Sequence, residues 1–218
     1  MRRTKEEALE TRSAILDAAE AVFIERGVGR TSLAQIAAAA EVTRGAIYWH
    51  FSGKVDLFKA MQDRARLPQE TFFHGGEMTR SDRCLDLLYT TTMDAIAGFA
   101  TDQRAQRVYT IILLRCEYVG EMREALVSRR ADDERMKKVL IEVFERAALV
   151  GSLGRDWTPA LAANAYFCAM VGLFSEWLRL EREFDIVATA RPLIDSLFAS
   201  FRAGCTGTVG LRSQSGCR

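Results

Sequence analysis

The stretch TSLAQIAAAAEVTRGAIYWHF, Thr31 to Phe51, decides the fold. It predicts two short helices, Ser32 to Ala39 and Thr43 to Trp49, separated by Ala40-Glu41-Val42. Helices this short do not hold alone in water and must pack on a third. Leu33, Ile36, Ala37, Val42, Ile47 and Phe51 supply the apolar contacts. The third helix is read upstream, from about Lys5 or Ala8 to Arg26. There Ile15, Ala18, Ala19, Val22 and Phe23 recur at helical spacing, and Gly27 stops the run. Two helices joined by a three-residue turn suit a helix-turn-helix, whose second helix enters a DNA major groove.

The outward residues of the second helix fit that use. Thr43 caps an N-terminus whose free N–H groups and dipole favour phosphate. Arg44 is placed to read guanine O6 and N7, and Gly45 and Ala46 are too small to hold the helix off the groove floor. Tyr48 and His50 are expected on phosphate, and Trp49 is expected either beside them or in the core. Lys54, Thr31 and Ser32 are expected to reach backbone on either side of the groove, and Arg2, Arg3 and Lys5 to add a basic arm. Charge alone does not make this case. Residues 1–66 carry 11 Lys or Arg against 9 Asp or Glu, and the whole chain has a net charge of +1.

Further along, Ser52-Gly53 breaks the chain before a helix read from Lys54 as far as Leu67. Pro68 and Gly75-Gly76 mark a weak join. The remaining periodicity predicts helices at about Arg83–Phe99, Asp102–Leu114, Glu121–Val150, Thr158–Leu180 and Asp185–Arg202, with Thr158-Pro159 as a start signal. The expected architecture is therefore all-α, with about nine helices. A head occupies 1–53, a connecting helix 54–67, a helical bundle 68–203 and a Gly/Ser/Thr-rich tail 204–218. The 218 residues contain five cysteines without a CxxC pair and only two histidines, so no metal or cofactor site is expected. The opening segment lacks the apolar core of a secretory signal, and no unbroken run of 18 apolar residues suggests a membrane span. Both point to the cytoplasm. No phosphate loop, HExxH or nucleophile motif is present, so no catalytic residue is expected.

The run ILDAAEAVFIERGVGRTSLAQIAAAAEVTRGAIYWHFSGKVDLF, Ile15 to Phe58, resembles the DNA-binding head of the TetR family of bacterial repressors. TRGAIYWHF, with the opening RRTKEEALETR, is similar to the branch that represses multidrug efflux operons. One departure is Glu41, where relatives often carry Gly. The resemblance implies a homodimer on double-stranded, palindromic operator DNA, formed through the last two helices and released by a small lipophilic inducer. On their apolar stripes the expected dimer residues are Tyr166, Met170, Leu173, Trp177, Ile194, Leu197, Phe198 and Phe201. The expected ligand residues are Phe99, Tyr109, Ile112, Cys116, Glu117, Leu140, Phe144 and Phe174. A repressor sensing a single metabolite, and a helical interaction module that binds no DNA, remain the alternatives.

Overall fold

The structure, a computed structural model, describes residues 5–65, 76 and 78–202. The arm at Arg2 and Arg3, the break at Pro68 and Gly75, and the tail 204–218 lie outside the described residues.

The described residues form nine α-helices and no strand. They are α1 (Lys5–Arg26), α2 (Leu33–Ala39), α3 (Arg44–His50), α4 (Lys54–Arg64), α5 (Cys84–Thr101), α6 (Gln103–Thr110), α7 (Arg123–Leu149), α8 (Pro159–Arg179) and α9 (Ile186–Arg202). A π-turn at Ile111–Arg115 and a 3-10 turn at Gly120–Met122 link α6 to α7. The helix starts follow local chemistry. Ser32 and Gln35 form a reciprocal capping box at α2, and Thr43 accepts from Ala46 N–H at α3. Thr158 caps α8 with Pro159 in its first turn, and the Asp185 carboxylate accepts from Val187 and Ala188 N–H at α9.

Two apolar clusters organise the chain. In the head, Ile15, Phe23, Ile36, Ile47, Phe51, Leu57 and Phe58 are all 2% exposed or less. That cluster does not close on itself: Val108, Ile111, Ile112, Met122 and Ala125 of the lower body belong to it. The second cluster fills the bundle formed by α5 and α7–α9. An aromatic chain runs through it, with Phe198 against Tyr89 and Phe201, and Phe201 against Phe144 and Trp157, at ring separations of 4.9–5.6 Å. These edge-on contacts are the favoured aromatic geometry. Within it Thr92 donates its hydroxyl to the Leu88 carbonyl at 2.6 Å, so Tyr166, 2.7 Å away, donates to Thr92. Burial pushes the Tyr166 phenol up to about 12, keeping that proton in place.

The turn between α2 and α3 shows the consequence of Glu41. Its backbone sits at φ 55°, the left-handed region that glycine tolerates and a β-carbon does not. Glu41→Gly is therefore expected to raise unfolding free energy by about 1 kcal/mol in urea titrations; an unchanged or lower midpoint counts against strain at this turn.

Candidate nucleic-acid interface and its joint to the body

Ile47 anchors α3 in the head core, fully buried, and this anchoring turns the flanking side chains outward. Arg44 and Gly45 are exposed, Tyr48 is 53% exposed and Trp49 72%. Large aromatics at that exposure are unusual on a monomer surface unless they serve a contact. Trp49 is thus resolved as a surface residue. His50 is half-buried, its ring edge-on to Trp49 at 4.5 Å. Ser32 lies exposed at the start of α2. A β-carbon at Gly45 would meet nothing closer than the Thr43 hydroxyl at 3.8 Å. The head's own packing therefore does not require glycine there.

Two residues expected on DNA turn inward. Thr31 is 3% exposed and donates its hydroxyl to the Gly27 carbonyl at 2.8 Å, stapling the α1–α2 loop. Lys54 is 9% exposed: its amine donates to the Val28 and Thr31 carbonyls at 3.2 and 3.1 Å and pairs with Glu121 at 2.8 Å. A charge buried in this way needs such partners. The sequence pattern shows the lysine but not the carbonyls that collect it.

Lys54 thus belongs to the joint between head and body, together with residues that the sequence reading missed. Val28 N–H donates to the Arg115 carbonyl at the π-turn at 2.9 Å, and Lys59 pairs with Glu124 at 2.7 Å. On the other side of the joint, Asp17 of α1 pairs with Arg64 of α4 and, at 3.4 Å, with Arg104 of α6. Glu20 lies 3.7 Å from Arg64 and 3.6 Å from Arg107. The signal was present as carboxylates three apart on one helix and arginines three apart on another, but helical charges at that spacing usually mark a solvated face.

The expected ligand residues separate into four groups. Phe99, Tyr109 and Phe174 come together, with Phe99 centred 5.3 Å from Tyr109 and 4.7 Å from Phe174; Trp177 stands 5.7 Å from Phe99. Leu140 and Phe144 are fully buried packing residues of the bundle. Ile112 joins the head-side core and Cys116 packs against it, the thiol pushed up to about 11 by burial. Glu117 is exposed. Two surface hollows of about 360 Å³ each, one between α5 and α9 beside Tyr89, Asp195 and Arg202 and one beside Arg26, Arg30 and Gln35, touch none of these residues.

The expected dimer residues also need correction. Tyr166, Leu173, Trp177, Ile194, Phe198 and Phe201 are 7% exposed or less within one chain and build its own core. Met170 and Leu197 keep partial exposure. The opposite faces of α8 and α9 carry Leu161, Cys168, Val171, Gly172, Pro192, Leu193 and Ser196, all exposed.

A short, outward-facing recognition helix on a three-helix head, carried by a helical body, defines a helix-turn-helix transcription regulator. Residues 15–61 match the family described as bacterial regulatory proteins, tetR family, and residues 84–202 match the MAATS-type transcriptional repressor C-terminal region. The chain belongs to the TetR family of transcriptional repressors. It is 43% identical to the transcriptional repressor BepR of Brucella suis, over 93% of this chain and 97% of BepR. It superposes with a TM-score of 0.83 on NalD, the secondary repressor of the MexAB-OprM multidrug efflux pump in Pseudomonas aeruginosa, at 38% identity over 91% of this chain and 98% of NalD. A SmeT–triclosan complex superposes with a TM-score of 0.76 at 27% identity, over 92% and 97%.

Lys54→Met is expected to lower stability by about 1–3 kcal/mol, because the buried Thr31 carbonyl loses its Lys54 donor and the Val28 carbonyl keeps only the Thr31 N–H at 3.3 Å. Gly45→Ala is expected to raise the unfolding midpoint, a helical alanine being worth about 0.5–1 kcal/mol over glycine. A Lys54→Met protein as stable as wild type in chemical denaturation sinks the first expectation, and a less stable Gly45→Ala protein sinks the second.

Proposed function

We propose that this protein represses a multidrug efflux operon, binding a palindromic operator as a homodimer and leaving it when a lipophilic, drug-like compound occupies the body. The observation that carries the DNA half is the exposed Arg44–Tyr48–Trp49 face of an α3 anchored by Ile47. One such helix reads only a few base pairs; two, about one DNA turn apart, read a palindrome. Arg44 contacts base edges, while Thr43, Tyr48, His50 and Ser32 fix register on the phosphates. Arg2 and Arg3 add salt-dependent affinity.

Dimerisation falls to the outward faces of α8 and α9. Leu161 is 53% exposed, Val171 38% and Leu193 41%, and nothing lies within 4 Å of a β-carbon built at Gly172. Small residues between the large ones allow two helix pairs to approach closely across a two-fold axis. By length and composition α8 is apolar enough to cross a membrane, with a third of its most apolar window buried. Its inward half is committed to the bundle core, and the partner subunit covers the rest.

The inducer reading rests on the aromatic nest of Phe99, Tyr109 and Phe174, and on likeness to NalD, a repressor of a multidrug efflux pump, and to SmeT, solved with triclosan. Flat apolar rings with few polar groups suit lipophilic ligands of varied shape. A compound that favours a body arrangement with the heads wrongly spaced lowers operator affinity by its differential affinity for the two states.

Selection of genomic fragments with the purified protein is expected to recover a palindrome beside a transporter operon; recovery of no enriched DNA defeats the proposal. On that operator, Arg44→Ala is expected to lose about 1–3 kcal/mol of discrimination at one position of each half-site, measured by titrating single-base variants. Val171→Asp with Leu193→Asp is expected to give a folded monomer in sedimentation and to abolish operator binding; a retained dimer mass rejects this interface. Triclosan is expected to raise the melting temperature and release the operator, and Phe174→Ala to weaken both effects; an inert triclosan with many unrelated compounds also inert would refute a permissive drug pocket.

A further inference from the structure

Glu20 is a buried carboxylate with an unusual environment. It is 2% exposed, and both of its oxygens are shielded from solvent with no hydrogen-bond donor in range among the described residues. Its nearest cations, Arg64 and Arg107, stand at 3.7 and 3.6 Å, beyond hydrogen-bond length. Arg64 is 15% exposed and belongs to α4, while Arg107 belongs to α6. One turn earlier on α1, Asp17 repeats the arrangement, paired with the same Arg64 and with Arg104 of α6. Two carboxylates three residues apart on the head thus face two arginines three residues apart on the body, with Arg64 shared between them.

The arrangement does not maximise stability. Burying an ionised carboxylate with loose partners is unfavourable, and an uncharged isostere at this position strands no buried charge, because Arg64 keeps Asp17 and Arg107 is exposed to solvent. Consistently, burial raises the Glu20 carboxyl above its ordinary value against the lowering influence of Arg64, Arg104 and Arg107. A folded-state pKa raised above the unfolded one means that the stability contributed by this group is complete at low pH and is lost as pH rises through the folded value. At neutral pH, therefore, Glu20 weighs against the fold. What the matched pairs supply is register: sliding α1 along α6 by one helical turn leaves at most one carboxylate opposite an α6 arginine, and a half-turn rotation breaks both pairs.

α6 is tied at its other side as well. The Gln106 amide donates to the carbonyls of Phe99 and Ala100, and its oxygen accepts from Arg182 at 3.2 Å. Arg182 sits in the α8–α9 loop, where Glu181 and Arg182 hold positive φ of 50° and 68°. The same short helix therefore touches the head, the aromatic nest through Phe99 and Tyr109, and the loop of the two helices assigned to the dimer.

We propose that Glu20 and Arg107 are positioning residues, which with Asp17 and Arg104 fix the angle of the head on α6 and so the separation of the two recognition helices. The inference rests on the dimeric-repressor reading for its consequence on DNA, but the head angle is measurable in a single chain without DNA. The full-length protein carries donor and acceptor dyes on non-natural amino acids placed at the exposed positions 10 and 149, one dye pair per dimer.

Wild type is expected to give one narrow single-molecule transfer distribution. Glu20→Gln and Arg107→Gln are each expected to broaden it, and the double variant to broaden it no further than either alone, because both remove one interaction. Glu20→Gln is expected to melt at or above the wild-type temperature, which a merely structural role would not produce. On the selected operator, discrimination against half-sites moved apart by one base pair is expected to fall about tenfold in the same variants. Unchanged distributions in both single variants overturn the proposal, as do additive effects in the double variant or broadening of Glu20→Gln that tracks a lower melting temperature. Failure of wild type to bind DNA while the distributions behave as stated would overturn the repressor reading and leave the positioning role standing.

Discussion

The interaction on which the rest depends is the apolar contact that completes the head. Three helices, two of them seven residues long, bury little apolar surface by themselves. Val108, Ile111, Ile112, Met122 and Ala125 finish a core that Ile15, Phe23, Ile47 and Phe58 begin. Each buried aliphatic side chain contributes on the order of 1.5–3 kcal/mol, so seating on the body adds to the head's stability. A DNA reader built in this way has its stability and its orientation determined by the same surface.

Polar contacts ring that apolar centre and give it direction. Dispersion and hydrophobic burial are tolerant of rotation, whereas an ion pair or a backbone hydrogen bond is not. Lys54 binds two carbonyls of the α1–α2 loop and reaches Glu121; Val28 donates to the Arg115 carbonyl. The π-turn that presents Arg115 is an uncommon conformation, of the kind that recurs at functional joints. Movement in the bundle that displaces α6 or this turn therefore reaches the head through contacts of fixed geometry.

Much of the local architecture was legible in the sequence. The two short helices, their caps at Ser32 and Thr43, the stop at Gly27 and the start at Thr158-Pro159 all follow from rules acting within a few residues, and Glu41 stood out against the family resemblance. The outward Arg44 and Tyr48 were legible too, because Ile47 is the apolar residue that must point inward, whereas Trp49 stood open between surface and core until packing left it outside. Apolar stripes, by contrast, were ambiguous. Tyr166, Trp177 and Phe198 looked fit for a subunit interface, yet they fill the interior, and the exposed stripe through Leu161, Val171 and Leu193 is the thinner one. A helix buried on one side and paired on the other carries two apolar faces, and periodicity does not rank them.

By itself, then, the sequence determined that the chain is all-helical, where its capped helices start, and that a helix-turn-helix leads it, though it ran one helix through the π-turn at Ile111–Arg115. These properties depend on backbone conformation and on neighbours three or four residues away. Only the tertiary structure decided that Lys54 and Thr31 turn inward, that Glu20 is enclosed by arginines from two other helices, and which faces of α8 and α9 stay open. Those outcomes depend on partners as many as 87 residues distant along the chain, as between Asp17 and Arg104. A charge or an apolar side chain carries no mark of which distant surface will meet it; packing makes that assignment.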